Sequence, residues 1–281
     1  MSDPLDLTSR TAIVTGGTKG LGRVLATTLL KHGAEVFVCA RNAPDTPVTA
    51  NGREAHFVAA DVRDAEQVTA VVDAAIERTG RVDILVNNAG GAPPAESATV
   101  SPRFNEKIVA LNLLAPMLFS QAVHDVMQAQ DDGGVIVNIA SVSGTRANPK
   151  GVAYGAAKAG IAAFTIIAAR ELSRIGVTVN AISPSAYTRM TDNLREYSEE
   201  DKQVRDPSWV SPTVVYLASE EAQDITGRII QAGAGMVAVC EGWRRGAEID
   251  QMDDPAALGP KIREMIEQCR KNSGMDGMEL D

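Results

Sequence analysis

The sequence predicts an α/β fold in which helices cover both faces of a doubly wound, mostly parallel sheet of seven strands. Three observations predict it. Short runs of β-branched residues alternate with longer helix-patterned segments along most of the chain. Apolar residues make up 44% of the 281 residues and aromatic residues only 4%, so Val, Ile, Leu and Ala must build the core, as buried parallel strands require. The length suits one such sheet followed by a short tail.

The predicted strands and helices follow one another in alternation. The strands are Thr11–Thr15, Ala34–Cys39, His56–Ala59, Asp83–Val86, Val135–Ile139, Val177–Ile182 and Arg228–Gln231. The helices are Leu21–His32, Asp64–Thr79, a long one within Pro102–Gln130, Tyr154–Ser173 and Pro212–Ala218. Ser211 is the predicted cap of the last helix, with Pro212 at its first helical position. This order of elements is typical of parallel neighbouring strands.

One domain is predicted for residues 1–246, followed by a tail at 247–281 in which Ala256–Arg270 forms an amphipathic helix. Within the domain, the stretch Arg189–Ser208 is polar, mixed in charge and without a clear strand. Two interpretations of this stretch stay open. It is either a mobile substrate lid or a solvated surface helix.

Composition and charge exclude several classes of partner. The formal net charge is −9 and no basic cluster is longer than Arg244-Arg245, so we expect no nucleic-acid partner. Residues Met1–Arg10 hold two acids and no apolar run, and charges interrupt the longer apolar stretches, so we expect neither a secretory signal nor a membrane partner. The cysteines are scattered and odd in number, as is typical of reduced core thiols: Cys39, Cys240 and Cys269. We therefore expect a soluble, cytoplasmic protein, and no metal site is predicted.

A glycine-rich turn joins the first predicted strand to the first helix. It reads Thr15-Gly16-Gly17-Thr18-Lys19-Gly20-Leu21-Gly22. Glycine lets the backbone approach a pyrophosphate closely, and the helix N-terminus supplies free N–H groups and the positive end of the helix dipole. The turn therefore predicts a dinucleotide site formed by Gly16, Thr18, Lys19, Gly20, Leu21 and Gly22. An ordinary strand–helix connection is the alternative.

The end of the second strand indicates which dinucleotide binds, because an acid there bonds the ribose whereas a cation accepts a 2′-phosphate. The chain has Arg41 and Asn42 at this turn and no acid, and Lys19 adds a second cation in the glycine turn. These residues predict NADP(H) rather than NAD. The alternative is that both cations merely face solvent.

Further cofactor contacts are predicted where the third and fourth strands end. After the third strand, Asp61 and Val62 are expected beside the adenine ring, with Asp61 accepting from its amine. Asp61 is equally suited to cap the helix that begins near Asp64. The segment that closes the fourth strand at the same edge is expected to contribute Asn88, Ala89 and Gly90.

Tyr154 and Lys158 lie four residues apart, and hence on one face of a predicted helix. A nearby positive charge favours phenolate and brings the pKa of the tyrosine down from about 10 toward a value useful in acid–base catalysis. Ser141 follows a strand, where parallel sheets place functional residues, and its hydroxyl is suited to bind a substrate oxygen. Asn112 interrupts an apolar helical run. It either bonds helix backbone and holds a water that leads to Lys158, or is a locally satisfied core amide.

In this order the motifs resemble those of the short-chain dehydrogenase/reductase family, and the resemblance covers roughly Leu7 to Gly242. The matching segments are Thr15–Gly22, Asn87–Gly90, Asn112, Ser141 and Tyr154 to Lys158. The resemblance implies a Rossmann-type subunit in which Tyr154 transfers the proton and Ser141 orients the carbonyl. It further implies that Lys158 holds the ribose and lowers the pKa of Tyr154, while Asn112 supports the proton relay. Tyr154 and Lys158 are thereby cofactor contacts as well.

The chain departs from the family pattern beyond Asn180, where Pro184-Ser185 replaces the usual Pro-Gly. Pro184 is expected beside the nicotinamide, and Thr188 is expected, by analogy, to bond its carboxamide. Together with the later Gly233-Ala234-Gly235 and Trp243-Arg244-Arg245, this segment is similar to the hydroxyacyl-CoA dehydrogenase domain of peroxisomal multifunctional β-oxidation enzymes. That similarity points to acyl thioesters, although those enzymes resemble NAD users.

Resemblance to bacterial 3-oxoacyl-carrier-protein reductases is also broad. An acidic carrier needs cations near the mouth of the site, whereas Gln128–Asp132 offers an acidic turn. A coenzyme A ester or a small free ketone is therefore expected to fit no worse. Arg146, Lys150 and Arg189 are the candidates to meet a phosphate of such a substrate.

The sequence thus predicts an NADP(H)-dependent oxidoreductase that acts on a ketone or secondary alcohol, best a 3-oxoacyl or 3-hydroxyacyl thioester. The alternatives are a reductase of another small ketone or alcohol and a non-catalytic, dinucleotide-sensing binding module. A sugar-nucleotide epimerase is disfavoured, because that branch resembles a tighter glycine turn with a larger C-terminal domain. The apolar helices Pro102–Gln130 and Tyr154–Ser173 would expose a broad face in a monomer, so we expect a homodimer or homotetramer.

Overall fold

The computed structural model describes residues 4–91, 101–146, 151–188, 191–192, 196–242 and 245–274. Its strands are β1 (Thr11–Thr15), β2 (Glu35–Ala40), β3 (Thr49–Ala50), β4 (Arg53–Glu54), β5 (His56–Ala59), β6 (Ile84–Asn87), β7 (Gly134–Ile139), β8 (Val177–Pro184), β9 (Ile229–Gly233) and β10 (Met236–Cys240). Its α-helices are α1 (Gly20–Lys31), α2 (Ala65–Thr79), α3 (Pro102–Val109), α4 (Ala115–Ala129), α5 (Val152–Leu172), α6 (Glu199–Val204), α7 (Ser211–Ala218) and α8 (Pro255–Gln268).

The main sheet has eight strands in the order β10-β9-β8-β7-β6-β1-β2-β5. Every neighbouring pair is parallel except β9 and β10. The predicted α/β, doubly wound, mostly parallel Rossmann-type fold is confirmed, and all seven predicted strands are present. The chain order reverses at β1, which pairs with β2 on one side and β6 on the other. Ligands of open α/β sheets bind at such a switch point, outside the carboxyl ends of the strands.

The eighth strand, β10, corrects the predicted count of seven. It returns antiparallel to β9 through Ala234 and Gly235, whose φ values are 54° and 76°. Positive φ at both central residues gives a two-residue turn whose twist matches that of an antiparallel hairpin. The run Gly233-Ala234-Gly235 is the signal for this hairpin in the sequence.

Helices cover both faces of the sheet and bury two separate core clusters. On one face, α1 packs Leu25 into a cluster that also contains Val14 of β1. On the other face, α4 packs Phe119 into a cluster that contains Ile13 of the same strand. Successive side chains of a strand point to opposite faces, so β1 contributes to both cores.

Local side-chain contacts set the helix boundaries. Asp64 caps α2 by accepting from two backbone N–H groups of its first turn, so the alternative in which Asp61 caps this helix is wrong. Helix α7 begins at Ser211 itself, and Ser211 Oγ donates to the Ser208 carbonyl at 2.9 Å. The prediction that Ser211 is the cap of α7 is therefore wrong. A capping hydroxyl accepts from the helix backbone, whereas this one donates to the preceding turn.

The long helix predicted within Pro102–Gln130 contains one irregularity. A π-helical segment, Ala110–Leu114, joins α3 to α4. Such single turns often occur at functional sites, because the extra residue re-aims neighbouring side chains. This one contains Asn112.

The polar stretch Arg189–Ser208 is partly described, since residues 189–190 and 193–195 lie outside the described residues. The rest contains α6, at whose start Ser198 and Asp201 form a capping box. A surface helix is thus present, and a lid movement stays a prediction. In the tail, α8 lies where a helix was expected, and none of its residues is buried. The domain boundary at residue 246 also stays a prediction.

Two helical stretches, Pro102–Ala129 and Val152–Ile175, are long and apolar enough to cross a membrane by length and composition alone. Core helices pass the same test, and each stretch buries a polar side chain inside the protein, Asn112 at 0% and Lys158 at 3% exposure. Their opposite faces leave apolar side chains in solvent: Leu114, Met117, Ile166 and Ile167. This face underlies the expectation of an oligomer.

Candidate active site

The predicted site residues gather at the carboxyl edge of the sheet. The glycine turn follows β1, Asn87–Gly90 closes β6, Ser141 follows β7 and Pro184 ends β8. Helix α5 starts near the same edge and carries Tyr154 and Lys158. The parallel order of the strands therefore brings together segments that lie far apart in the chain.

The glycines of the turn are required by close contacts. Gly16 and Gly20 have positive φ values of 66° and 53°. A Cβ on Gly22 would lie 2.3 Å from the Gly16 carbonyl oxygen, and one on Gly17 would lie 2.5 Å from Cγ1 of Val38. The backbone of the turn therefore packs closely against its neighbours at Gly17 and Gly22. No Cβ covers the backbone at Gly20, where α1 begins. Of the other predicted members of the turn, Thr18 is buried, Leu21 is half-buried and Lys19 is exposed.

Asn88 ties the end of β6 to the glycine turn. Its Nδ2 donates to the Thr15 carbonyl at 2.8 Å, and its backbone N–H donates to Thr15 Oγ1 at 2.9 Å. Ala89 donates to the same hydroxyl at 2.9 Å. A Cβ on Gly90 would lie 2.9 Å from Oδ1 of Asn112 and 3.3 Å from Nζ of Lys158. This segment therefore links the glycine turn with the catalytic candidates.

Tyr154, Ser141 and Lys158 form one group of contacts. Tyr154 lies close enough to Ser141 for the serine hydroxyl to lower the pKa of its phenol. Lys158 Nζ donates to the Ile139 carbonyl of β7 at 2.6 Å and lies 5.8 Å from the centroid of the Tyr154 ring. Tyr154 and Lys158 thus face the same strand end, as their spacing on a helix predicts.

Burial dominates the pKa values of both α5 side chains. It lowers the pKa of Lys158 to about 8, because the ammonium is almost completely removed from water. It also raises the pKa of Tyr154, an effect that the nearby Ser141 hydroxyl offsets only in part. The expectation that Lys158 lowers the pKa of Tyr154 is therefore not met in this geometry. The ammonium donates to the Ile139 carbonyl, and the only group that offsets the burial of the Tyr154 phenol among the described residues is Ser141.

Asn112 holds the loop that follows β6. Its Oδ1 accepts from the Gly91 N–H at 2.8 Å, and its Nδ2 donates to the carbonyls of Gly91 at 2.8 Å and Ile108 at 2.9 Å. The side chain is fully buried, so these contacts satisfy its amide from both ends. They fit the alternative of a satisfied core amide, and the water relay to Lys158 stays a prediction.

A second buried polar chain was not foreseen. Asn87 Nδ2 donates to Asn138 Oδ1 at 2.9 Å, and Asn138 Nδ2 donates to Thr165 Oγ1 at 3.0 Å. It ties β6, β7 and α5 together beneath the site. Its signal in the sequence is the pair of asparagines that interrupt otherwise apolar strands, since buried amides need partners.

Three candidates for cofactor choice lie at the far end of the cleft. Arg41 and Asn42 follow β2 and are exposed. Lys19 Nζ lies 3.3 Å from Oδ2 of Asp45, an acid of the same loop as Arg41 and Asn42. The immediate turn lacks an acid as predicted, but Asp45 brings one close to Lys19.

The structure assigns Asp61 and Val62 different surroundings. Asp61 accepts from Nε and Nη2 of Arg63 at 2.9 and 2.5 Å, and these bonds lower its pKa to about 2. Its carboxylate is thus always an acceptor near neutral pH, although it is already engaged by Arg63. Val62 is buried in the same core cluster as Val68, so only its backbone is available to a ligand.

Ser185 fits the backbone after Pro184 without strain. It has no positive φ, and its N–H donates to the Ala232 carbonyl at 2.8 Å. Its hydroxyl accepts from Gln231 Nε2 at 3.3 Å, and Gln231 Oε1 accepts from Arg146 at 3.1 Å. The departure from Pro-Gly thus supports a polar chain that leads to Arg146. Thr188 donates its N–H to Thr191 Oγ1, while Lys150 and Arg189 lie outside the described residues.

The acidic turn Gln128–Asp132 is not near the site. Asp132 pairs with Arg10 at 2.7 Å and Arg81 at 2.8 Å, which precede β1 and β6 at the amino edge of the sheet. The argument that this turn disfavours an acidic carrier protein is therefore wrong. It failed because the turn precedes β7, whereas the site lies where the strands end.

Comparison with known proteins is in accord with this geometry. The model of the short chain dehydrogenase family matches residues 10–202. The chain belongs to this family. It binds a nicotinamide dinucleotide and acts as an oxidoreductase on CH–OH or keto groups, as family members do.

Several relatives of this short-chain dehydrogenase match over most of their length. A 3-oxoacyl-[acyl-carrier-protein] reductase of Synechocystis sp. is 36% identical over 250 residues, which cover 82% of this chain and 98% of that protein. The crystal structure of a short chain dehydrogenase from Mycobacterium avium has a TM-score of 0.86 at 33% identity and covers 96% of this chain and 98% of its own. That of levodione reductase has a TM-score of 0.73 at 30% identity, with 81% and 97% covered.

The residues present fit the dinucleotide that the family implies. The glycine turn leaves no room for a Cβ at Gly22, and it opens α1, whose first N–H groups are directed at the turn. The glycine turn also carries the exposed cation Lys19, and the ammonium of Lys158 is buried at the carboxyl ends of the strands.

Proposed function

We propose that this protein is an NADP(H)-dependent oxidoreductase that moves a hydride between the nicotinamide and a ketone or secondary alcohol. A 3-oxoacyl or 3-hydroxyacyl thioester is the best candidate substrate. The observation that carries the proposal is the grouping of Tyr154 and Ser141 with the buried ammonium of Lys158, whose Nζ lies 5.8 Å from the centroid of the Tyr154 ring. These three groups supply the oxygen contact, the proton and the positive charge that such a reaction needs.

Ser141 and Tyr154 present two hydroxyls to one substrate oxygen. In reduction, Ser141 holds the carbonyl oxygen and Tyr154 donates its phenol proton to it; in oxidation, Tyr154 accepts that proton back. The bound nicotinamide supplies or takes up the hydride. Lys158, with Nζ 5.8 Å from the ring centroid, holds the ribose and places an ammonium beside the phenolate left on Tyr154. Asn112 fixes the position of Gly91 through two hydrogen bonds, and it supports the proton relay.

The remaining cofactor contacts follow from position along the cleft. The glycine turn, with Gly16, Thr18, Gly20, Leu21 and Gly22, holds the pyrophosphate. Asp61 and Val62 lie on the adenine side, and the segment at the end of β6 and the residues after β8 lie on the nicotinamide side: Asn88, Ala89, Gly90, Pro184 and Thr188. Lys19, Arg41 and Asn42 meet the 2′-phosphate, which supports NADP(H) over NAD.

The thioester assignment is supported by the printed activity of the Synechocystis relative, a 3-oxoacyl-[acyl-carrier-protein] reductase. With the acidic turn at the opposite edge of the sheet, a carrier-bound substrate is as compatible with the site as a coenzyme A ester. Arg146, held by Gln231 at 3.1 Å, is the described cation best placed to meet a substrate phosphate. The match to levodione reductase favours a small free ketone as the second candidate.

We further propose that the protein is cytoplasmic and works as a homodimer or homotetramer. The apolar outer face formed by Leu114 of the π-helical segment, Met117 of α4, and Ile166 and Ile167 of α5 supports this assembly, since these side chains are between 39% and 56% exposed. A second copy would bury this face by symmetric packing.

The loss of reduced-nicotinamide absorbance on addition of acetoacetyl-CoA tests the proposal, with NADPH and NADH assayed side by side. Faster turnover with NADPH would support both the cofactor and the thioester class. Binding of cofactor without turnover of either the coenzyme A ester or the carrier-bound ester would move the search to other ketones and would contradict the thioester. An acetoacetyl carrier protein assayed in parallel separates the two kinds of thioester.

A further inference from the structure

Arg23 fastens the loop that carries the predicted 2′-phosphate contacts to helix α1. It follows the last glycine of the turn, and its guanidinium reaches across to the loop after β2. Nη1 donates to the Thr46 carbonyl at 2.8 Å, and Nη2 donates to Thr46 Oγ1 at 3.0 Å and to the Pro47 carbonyl at 2.7 Å. One side chain therefore contacts this loop at three acceptors.

The loop has few other fixed points. Residues 41–47 make no backbone–backbone hydrogen bond in the described chain, and all of them except Pro44 are exposed. Regular backbone bonding resumes at Val48, which is buried and accepts from the Ala55 N–H. Arg41 and Asn42 therefore lie between the end of β2 and the Arg23 contacts. Their position depends on both.

A second contact between the loop and the glycine turn is the pair of Lys19 and Asp45. The two charges lie 3.3 Å apart, with side chains 57% and 86% exposed. Exposed pairs of this kind contribute little to stability. The Asp45 carboxylate nonetheless pairs with the Lys19 ammonium that would bind an incoming phosphate. The phosphate and Asp45 therefore compete for Lys19.

From these contacts we infer that Arg23 and Asp45 set the selectivity of the site for a 2′-phosphorylated cofactor, although neither needs to touch it. Arg23 is a positioning residue that holds Arg41 and Asn42 in place. Asp45 is a counter-charge that Lys19 exchanges for the 2′-phosphate. This inference rests on the proposed NADP(H) dependence.

The test measures binding of two cofactor fragments to the full-length protein by titration calorimetry. 2′,5′-ADP carries the phosphate at issue and 5′-AMP lacks it, so the ratio of their dissociation constants isolates the 2′-phosphate. Arg23→Met removes the charge and the fork of donors, and Arg23→Lys keeps the charge alone. Lys31→Met is the matched control, since Lys31 is an exposed cation at the other end of α1.

We expect Arg23→Met to weaken binding of 2′,5′-ADP on the order of tenfold, as the loss of a group that orients a ligand does at metal sites, and to leave binding of 5′-AMP within about twofold. Arg23→Lys should fall nearer to Arg23→Met than to the wild type, because an ammonium lacks the planar fork. Thermal unfolding of each variant shows whether the fold survives. An equal weakening of both fragments, or of neither, would overturn the role of Arg23.

For Asp45, the variant Asp45→Asn should strengthen 2′,5′-ADP about two- to fivefold at low salt, and the gain should disappear in a Lys19→Met background. Asp73→Asn, at an exposed position of α2, controls for the change in net charge. Weaker 5′-AMP binding by Asp45→Asn would instead make Asp45 a ribose ligand and overturn its assigned role.

The wild-type titration separates a failure of the NADP(H) assignment from a failure of the roles assigned to Arg23 and Asp45. If the wild type binds 2′,5′-ADP no better than 5′-AMP, the NADP(H) assignment fails and this inference fails with it. If the wild type discriminates but every Arg23 and Asp45 variant keeps the wild-type ratio, only this inference fails.

Discussion

At the amino edge of the sheet a buried carboxylate pairs with two arginines, whereas at the carboxyl edge a buried ammonium has no carboxylate partner within the described part of the chain. Asp83 is 1% exposed and pairs with Arg10 and Arg81, which also bind Asp132. Lys158 is 3% exposed and donates to a carbonyl, with no carboxylate partner among the described residues. The two edges belong to the same sheet, but the buried charge is paired at the amino edge and has no counter-charge among the described residues at the carboxyl edge.

The difference separates stability from function. A carboxylate that accepts from guanidinium groups and a backbone N–H is compensated on folding, and breaking such a group is costly. An ammonium held in a low dielectric without a counter-charge costs stability but keeps a pKa within reach of neutral pH. We therefore expect variants at the amino edge to change stability and variants at the carboxyl edge to change chemistry.

The largest expected effect is at the carboxyl edge. Tyr154→Phe removes the proton donor but keeps the ring, so kcat should fall about 10²- to 10⁴-fold, the usual contribution of a general acid. The NADPH dissociation constant should stay within about twofold, since the phenol is one contact among many. Tyr216→Phe, at a tyrosine 42% exposed on α7, is the matched control. Wild-type kcat in Tyr154→Phe would defeat the assignment of this residue.

Next in size is the amino edge. Asp83→Asn keeps the shape of the side chain but removes its negative charge. In the wild type this carboxylate pairs with two arginines and accepts from the Thr11 N–H at 2.7 Å. The free energy of unfolding should fall by about 3 kcal/mol, the lower end for a broken buried pair, because both arginines are partly exposed. Urea unfolding measures this loss. Under conditions where the variant is folded, kcat and KM should match the wild type; a tenfold lower kcat would contradict the separation of the edges.

The pH dependence of stability tests whether burial destabilises the Lys158 ammonium at the carboxyl edge. Burial lowers the pKa of Lys158 from 10.5 to about 8, so between these values the unfolded chain binds more protons than the folded one and stability rises with pH. The contribution of Lys158 to the free energy of unfolding should increase by about 2 kcal/mol between pH 7 and pH 9.5. Urea unfolding of the wild type and Lys158→Met at both pH values isolates it, because other groups titrate in both proteins. A constant difference between them would show that the ammonium is not destabilised by burial.

Sequence reasoning succeeded where a feature is encoded locally. Strand positions follow from β-branched runs, and the glycine turn, Ser141 and the Tyr154–Lys158 spacing were placed at one sheet edge because parallel strands end there. It failed where the outcome depends on chain partners that are distant in sequence. Burial overrode the expected effect of Lys158 on the pKa of Tyr154, and the acidic turn at Asp132 proved to lie at the opposite edge.

Competition between neighbouring side chains was also beyond local patterns. Asp61 and Asp64 are both sound capping residues, and only the contacts of Asp64 with the α2 backbone decide between them. Ser211 satisfies the rule for a cap but donates to an earlier carbonyl instead. The counter-charge of Lys19 comes from Asp45, an acid too far along the loop for a rule about the immediate turn to find.

The smallest expected effect distinguishes the exposed acid from the buried acid at the amino edge. Glu220 reaches Arg10 Nη2 at 3.3 Å, but its side chain is 76% exposed, so water already screens the pair. Glu220→Gln should change the free energy of unfolding by less than about 0.5 kcal/mol, no more than Glu221→Gln, which removes an exposed neighbouring charge without an ion pair in the described part of the chain. Urea unfolding at low and high salt measures both. A loss for Glu220→Gln comparable with that of Asp83→Asn would mean that the arginines act as one cooperative network, in which the exposed acid is needed to orient Arg10 toward the buried one.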